Sequence, residues 1–153
     1  MTRYTRYQGA IMRDSHILLL QQTEHSTGRS YWLLPGGKKE SGETEQQCVQ
    51  REMLEETGLH VRVDELLLDE SIASENINRR QTYLCFVLAG EPTPGYEPED
   101  AYADAYSFTD VQWVDLGRPA AWATDVVADQ GPLLQQLRSA LDNLDETNRT
   151  EVT

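Results

Sequence analysis

The chain has 153 residues, of which 39% are hydrophobic and 25% are charged, and its formal net charge is −13. This length accommodates one domain with its own core but is short for two. A surface this negative repels a nucleic-acid backbone, which disfavours polynucleotide binding, and the sequence contains no run of about 18 apolar residues that would span a membrane.

The two cysteines, Cys48 and Cys85, both lie inside apolar stretches. This setting is typical of buried free thiols, and free thiols are typical of a reducing compartment. The N-terminal segment, residues 1–7, has arginines but no apolar stretch behind them, so it does not resemble a secretory signal. We therefore expect no disulfide and a cytoplasmic location.

The first part of the chain alternates short apolar runs with turn-forming residues, which predicts strands. Asp14 and Ser15 separate the first two runs and indicate a tight hairpin. A proline and two glycines at 35–37 end the third run, and a polar loop follows at residues 38–43. The predicted strands are residues 11–13, 16–21 and 31–34.

Residues 44–57 are predicted to form a helix. Thr44 and Gln47 have the spacing of a capping box at its start. Gly58 stands where a helix is commonly ended by a glycine.

The second part of the chain predicts further strands and a C-terminal helix with leucines near helical spacing. The segment at 90–104 is rich in proline and glycine and is predicted to be a long loop with a functional role. The strands are residues 59–68, 81–89 and 111–114, the other loop is 69–80, the helix is 132–144 and a polar tail is 145–153. Together these elements predict one α/β domain over residues 1–144, with a mixed β-sheet covered by helices on both faces.

Three carboxylates, Glu52, Glu55 and Glu56, fall within an arc of roughly 100° on the predicted central helix. Three glutamates on one side of a helix are, on their own, equally typical of a solvated helix surface. So close together they repel one another unless a cation lies between them. Oxygen ligands select a hard ion such as Mg²⁺, with Mn²⁺ as a second choice.

The residues around this cluster fit a phosphate-binding metal site. Arg51 can pair with Glu55 one helical turn away and fix its orientation. Glu43, just before the helix, can reach the same cluster. Gly36 and Gly37 allow the backbone to approach a phosphate closely because they have no Cβ.

These residues follow a recognisable order. Gly37, five residues, Glu43, seven residues and then residues 51–59, Arg-Glu-Met-Leu-Glu-Glu-Thr-Gly-Leu, resemble the complete Nudix box. The flanks at 31–36 and 112–116 are also similar to this family, and the resemblance extends over roughly residues 9–144.

The resemblance implies a Nudix α/β/α sandwich in which the box forms a loop, a helix and a loop. It also implies a magnesium-dependent hydrolase, with Mg²⁺ held by Glu52, Glu55 and Glu56, Glu43 in support and Arg51 as an orienting residue. Water would attack a phosphorus atom in a nucleoside diphosphate derivative, with Glu52 or Glu55 as the base. An acid of the 90–104 loop is an alternative base; the candidates there are Glu97, Glu99 and Asp100, which could equally be solvated surface.

Outside the box the candidate substrate contacts are weaker. Arg29 and the pair Arg79 and Arg80 could meet phosphate or ribose, or could be solvated. Three aromatic residues could stack on a base or belong to the core; they are Tyr31, Trp32 and Tyr83. The predicted substrate-binding residues are Gly36, Gly37, Arg29 and Glu99.

The predicted substrate is a (deoxy)nucleoside triphosphate or a nucleotide sugar such as ADP-ribose, with a weak preference for the triphosphate. RNA 5′-end pyrophosphohydrolysis is disfavoured by the negative charge, and the additional catalytic motif of isopentenyl diphosphate isomerisation cannot be placed. A nucleotide sensor that binds without cutting is the alternative from another class. The predicted binding partner is this nucleoside diphosphate derivative, and we expect the protein to bind neither a polynucleotide nor a membrane. The sequence leaves open whether the protein forms a homodimer.

Overall fold

The computed structural model describes residues 3–95 and 105–152, with side chains described as far as residue 146. These residues form a seven-stranded sheet, two α-helices and one short 3₁₀ helix. The strands are β1 (Tyr4–Arg13), β2 (His16–Glu24), β3 (Ser30–Leu33), β4 (Gly36–Lys38), β5 (His60–Ser71), β6 (Ile77–Ala89) and β7 (Tyr106–Asp115). The helices are α1 (Glu45–Thr57), the 3₁₀ turn Pro119–Ala121 and α2 (Thr124–Val152).

The sheet is mixed. Its strand order is β3-β2-β1-β6-β5, with β7 paired to β2 and β4 paired to β1. The β1 and β6 pair is parallel and the other pairs are antiparallel. This arrangement confirms the predicted α/β fold with a mixed sheet.

The strands β1 and β2 pair only beside their hairpin, at Met12 with Ile17 and Arg13 with His16. Farther along, β1 pairs with β4 and β2 pairs with β3. The two strands therefore separate, and the short strands β3 and β4 occupy the gap between them. This opening in the sheet lies next to the helix that carries the acidic residues.

Each face of the sheet has its own apolar core. Along β1, Ile11 packs with Val49 and Met53 of α1, whereas Ala10 and Met12 belong to the cluster that contains the leucines of α2. Successive side chains of a strand point to opposite faces, so this alternation places α1 and α2 on opposite sides of the sheet. The predicted coverage of both faces is confirmed.

Both ends of α1 form as predicted. The Thr44 hydroxyl accepts a hydrogen bond from the Gln47 amide at 3.1 Å, and the Gln47 side chain accepts one from the Thr44 amide at 2.9 Å. Gly58 ends the helix with φ = 76°, a left-handed conformation that glycine adopts at little cost.

The two thiols, Cys48 and Cys85, are buried and free, and burial raises the pKa of each to about 12.

The prediction of a loop at residues 69–80 was wrong at both of its ends. Strand β5 continues to Ser71 and β6 begins at Ile77, and ion pairs of Asp69 with Arg79 and of Glu70 with Arg80 join the added parts of the two strands. The polar composition of this stretch suggested a loop, but cross-strand pairs of opposite charge stabilise an exposed hairpin. Strand β1 likewise begins at Tyr4 and β7 at Tyr106, earlier than their apolar residues indicated.

The predicted C-terminal helix, 132–144, was too short. Helix α2 begins at Thr124, contains Pro132 and continues to Val152, so the segment predicted as a tail is helical from residue 145 to 152. Buried Val126 extends the apolar side of the helix ahead of the proline. Neither α-helix in the described residues is long and apolar enough to cross a membrane.

The capping box gives a first testable prediction. Thr44→Ala should lower the free energy of unfolding by about 1 kcal/mol, because the Gln47 amide loses its acceptor at the start of α1. The matched control is Thr44→Ser, which keeps the hydroxyl. Its free energy of unfolding, measured in urea, should lie within about 0.5 kcal/mol of the parent's. Equal stability of the alanine and serine variants would contradict the assigned role of the cap.

Candidate active site

Helix α1 buries two carboxylates against the short strand β4. Glu52 is 5% exposed and Glu56 is 1% exposed. The Gly36 amide donates to both oxygens of Glu56, at 3.2 and 3.4 Å. A Cβ on Gly37 would lie 2.5 Å from a Glu52 carboxylate oxygen, so a side chain there would displace that carboxylate. Gly36 and Gly37 therefore lie against the protein's own carboxylates, and their approach to a phosphate stays a prediction.

Arg51 forms the centre of the acidic cluster. Its Nε donates to Glu43 at 2.6 Å, and its Nη1 donates to Glu52 at 3.0 Å and to Glu55 at 3.2 Å. Its Nη2 also donates to the Lys38 carbonyl oxygen at 3.1 Å, on the strand β4 side of the cluster. The predicted pair with Glu55 is present, and Glu43 reaches the cluster as expected. Arg51 thus ties the loop before α1 to two successive turns of the helix.

The pKa values in this cluster follow from these contacts. The hydrogen bond from Arg51 holds the pKa of Glu43 below its usual value. The hydrogen bond with Glu43 is the largest cause that raises the pKa of Arg51, so the guanidinium remains charged. Burial, followed by the charge of Glu52, raises the pKa of Glu55. A carboxyl in this position is stabilised in its charged form by additional positive charge.

The donor set suits a hard divalent cation, although the side chains are not gathered around one point. Glu43, Glu52, Glu55 and Glu56 supply only oxygen ligands, and Arg51 is shared by three of them. Within the described residues, no three acidic, histidine or cysteine side chains are arranged to hold a metal ion. The three carboxylates predicted to converge are instead divided between Arg51 and the Gly36 amide. The chemistry and the surplus of negative charge fit Mg²⁺ or Mn²⁺.

Two adjoining cavities, of about 240 and 260 Å³, open beside these carboxylates. Glu52 lines the first and Glu56 lines the second. The residues common to both are Arg6, Gln22, Gly36 and Ile77. They come from the region where β1 and β2 separate, so the opening in the sheet becomes a cleft with an acidic wall. A larger cavity of about 630 Å³ lies beside α2 and contains no residue of the box.

The first cavity has aromatic and amide side chains away from its acidic wall. Tyr31 and Tyr106 line it from β3 and β7, and their side chains hydrogen-bond to each other. Gln22 and Asn76 also line it. Of these four residues only Tyr31 was predicted from the sequence. Tyr106 comes shortly after the segment predicted as a loop, 90–104, and the pairing of β7 with β2 brings it to the cleft.

The other predicted contacts are dispersed. Trp32 and Tyr83 are 5% exposed and belong to the two cores. Arg29 is exposed and does not line either cavity. Arg79 pairs with Asp69 outside the cleft, whereas Arg80 pairs with Glu70 and lines the second cavity. The acidic candidates of the long loop, Glu97, Glu99 and Asp100, lie outside the described residues.

Comparison with known proteins agrees with this geometry. The model of the NUDIX domain matches residues 3–137, so the chain belongs to the Nudix hydrolase family. A Mycobacterium tuberculosis protein assigned as 8-oxo-dGTP diphosphatase 2 is 33% identical over 121 residues, which cover 77% of this chain and 84% of that protein.

Solved structures show the same fold. A Nudix hydrolase from Nitrosomonas europaea superposes with a TM-score of 0.67 at 21% identity, over 93% of this chain and 90% of that one. An ADP-ribose pyrophosphatase from Streptococcus suis superposes with a TM-score of 0.63 at 20% identity, over 93% and 92% of the two chains. The predicted Nudix fold and hydrolase class are confirmed.

The shared guanidinium gives a second prediction. Arg51→Gln should lower the free energy of unfolding by about 2 kcal/mol at neutral pH without divalent cations, because partly buried carboxylates lose their common partner. Since Arg51 lowers the pKa of folded Glu43, this part of the stability is present at neutral pH and is lost as the pH falls through that lowered pKa.

The control for this measurement is Arg62→Gln. Arg62 is an exposed arginine of β5 whose pair with Asp64 spans 3.6 Å. Its guanidinium also lies 4.9 Å from the centroid of the Phe86 ring. Because both contacts are weak at an exposed site, Arg62→Gln should change the free energy of unfolding by no more than about 1 kcal/mol. Urea unfolding that shows equal effects at the two arginines would contradict the central role of Arg51.

Proposed function

We propose that this hydrolase cleaves a diphosphate linkage in a nucleoside triphosphate, in a reaction that depends on Mg²⁺. The observation that carries the proposal is the position of Glu52. Its carboxylate lies against Gly37 in the wall of a cavity whose lining also includes Tyr31 and Tyr106. One cleft thus joins an acidic, metal-compatible end to an aromatic end suited to a nucleoside.

The acidic end would hold the cation through Glu52, Glu55 and Glu56, with Glu43 in support. A divalent cation bound there supplies the charge that neutralises phosphate oxygens and makes a water molecule more acidic. Glu52 or Glu55 accepts the proton of that water. Arg51 keeps these carboxylates oriented. The surplus of carboxylates around Arg51 supports this assignment.

The remaining part of the cleft would bind the substrate. The backbone at Gly36 and Gly37 lines the cavity beside Glu52, where the phosphates would bind. Tyr31 and Tyr106 offer ring surfaces for a nucleobase. The side-chain amides of Gln22 and Asn76 offer both donors and acceptors to the edge of a base. Arg29 and Glu99 remain sequence-based candidates for contacts with the substrate.

The relative named for 8-oxo-dGTP supports a nucleoside triphosphate as the substrate, and this class includes triphosphates with an oxidised base. The structural neighbour named for ADP-ribose supports a nucleotide sugar as the second candidate. The acidic charge favours a small substrate over a polynucleotide, and we place the enzyme in the cytoplasm. A sensor that binds without cutting is disfavoured because the box is intact, with Arg51 and the carboxylates of Glu52, Glu55 and Glu56 all present in the sequence.

A substrate panel tests this proposal. Natural and 8-oxo-purine triphosphates, pyrimidine triphosphates and ADP-ribose are incubated with the enzyme and Mg²⁺, with EDTA in parallel. A nucleoside triphosphate should be the best substrate and EDTA should abolish turnover. Faster hydrolysis of ADP-ribose would favour the second candidate, and binding without any product would support the sensor.

Glu56 provides the third prediction. Glu56→Gln should lower kcat by roughly two to three orders of magnitude at saturating Mg²⁺, because the lost charge weakens both cation binding and activation of water. The glutamine oxygen can still accept from the Gly36 amide, so the metal-free melting temperature should hold or rise slightly.

Glu45→Gln is the matched control, because it removes the same charge from an exposed residue in the first turn of α1. It should leave kcat within about twofold of the parent. A Glu56→Gln enzyme that melts earlier yet turns over within threefold of the parent would show that Glu56 is a structural partner only.

A further inference from the structure

We propose that Arg6 is a positioning residue, which holds the backbone of residues 34–36 so that the Gly36 amide is directed at Glu56. The inference rests on the proposed function in one respect, the role of Glu56 in holding the cation. Arg6 lies on β1, outside the Nudix box, and its side chain lines both cavities.

The guanidinium of Arg6 binds the two carbonyls on either side of one peptide unit. Its Nη2 donates to the Leu34 carbonyl oxygen at 2.8 Å and its Nη1 donates to the Gly36 carbonyl oxygen at 3.1 Å. The peptide between them, Pro35 to Gly36, is the one whose N–H donates to Glu56. Its carbonyl oxygen accepts from the Gly9 amide at 3.0 Å. Strand β1 therefore fixes three successive carbonyls and leaves the Gly36 N–H facing the helix.

Arg6 is itself held from the interior. Its Nε donates to the Gln8 side-chain oxygen at 3.3 Å, and the amide nitrogen of buried Gln8 donates to the Thr82 hydroxyl at 2.9 Å. Thr82 is 0% exposed. A continuous set of hydrogen bonds thus runs from the core of the sheet through Arg6 to the Gly36 peptide and Glu56.

Only arginine suits this geometry. A planar guanidinium presents several N–H groups in a fixed fork, and three of its nitrogens are used here in three directions. The ammonium group of lysine has the same charge but acts as a single point on a flexible stem. Arg6→Lys therefore removes the positioning of the peptide while it keeps a positive charge in the cleft.

This difference separates positioning from a direct contact with phosphate. Partners that orient a metal ligand typically contribute 10- to 100-fold in metal affinity. If Arg6 positions Glu56, Arg6→Lys should weaken Mn²⁺ binding to the nucleotide-free protein by about tenfold. It should also lower kcat by a similar factor while KM for the nucleotide stays within about threefold. A phosphate contact would instead raise KM and leave Mn²⁺ binding to the free protein unchanged.

The experiment measures free Mn²⁺ by electron paramagnetic resonance during titration, followed by kcat and KM, in the parent, Arg6→Lys, Glu56→Gln and the double variant. Arg62→Lys serves as a control for an arginine-to-lysine change at an exposed site. Because Arg6 is proposed to act through Glu56, Arg6→Lys should add less than about threefold to the loss of Mn²⁺ affinity in the Glu56→Gln background.

The outcomes are distinguishable. If Glu56→Gln weakens Mn²⁺ binding but Arg6→Lys leaves both Mn²⁺ affinity and kcat within twofold of the parent, the positioning role is overturned and the proposed function stands. If Glu56→Gln leaves Mn²⁺ binding unchanged, the proposed role of Glu56 is wrong, and the inference about Arg6 fails with it. Should Arg6→Lys fold poorly, Gln8→Leu tests the same network, because it removes the acceptor of the Arg6 Nε. It should weaken Mn²⁺ binding, and a folded Gln8→Leu protein with unchanged Mn²⁺ binding would overturn the positioning role.

Discussion

Two carboxylates on the sheet-facing side of α1 impose the main constraint on this structure, because an ionised group removed from water requires donors or opposite charge around it. Glu56 meets this requirement with the Gly36 amide, and Glu52 meets it with Arg51. Both solutions need the backbone of β4 to approach the helix closely. The approach leaves no room for a Cβ at Gly37, where it would collide with Glu52, or at Gly36, where it would lie 2.4 Å from the Tyr7 carbonyl oxygen. The glycines, the arginine and the glutamates of the box are therefore parts of one packing arrangement.

The separation of β1 and β2 places this arrangement beside open space. Because the two strands pair only next to their hairpin, the backbone of β4 can bind along β1 and present its amide to α1. The same separation leaves the cleft whose wall includes the largely buried carboxylates of Glu52 and Glu56, while the apolar residues Val49 and Met53 of α1 pack against the core. Sheet topology thus determines which of the helix carboxylates line the cleft.

The sequence could predict what depends on local order or on a repeating pattern. The capping box at Thr44, the glycine cap at Gly58 and the pair of Arg51 with Glu55 all join residues within one helix, so spacing alone locates them. Arg6 and Tyr106 could not be found in this way, since each reaches the cleft only through strand pairing with distant parts of the chain. The two strands β5 and β6 were predicted, but their extension into residues 69–71 and 77–80 was not, because this polar stretch is ordered by cross-strand ion pairs that composition does not reveal. The role of Arg51 as a common partner of Glu43, Glu52 and Glu55 also needed coordinates, since sequence spacing suggested only one of these pairs.

Charge connects the cluster with the approach of a substrate. The whole chain carries a formal charge of −13. At the acidic wall of the cleft the Arg51 guanidinium is shared by Glu43, Glu52 and Glu55, with the exposed Glu40 at 3.6 Å, and Glu56 has the Gly36 amide as a donor. A free nucleoside triphosphate, itself a polyanion, is repelled by such a wall. A triphosphate that carries Mg²⁺ brings the missing positive charge with it and is repelled less. Under the proposed function, the carboxylates would exchange part of their contact with Arg51 for contact with the cation, while Glu56 would keep the Gly36 amide as a donor. The backbone that holds Glu56 must therefore be fixed independently of the cation, and the hydrogen bonds of β1 to residues 34–36 supply that rigidity.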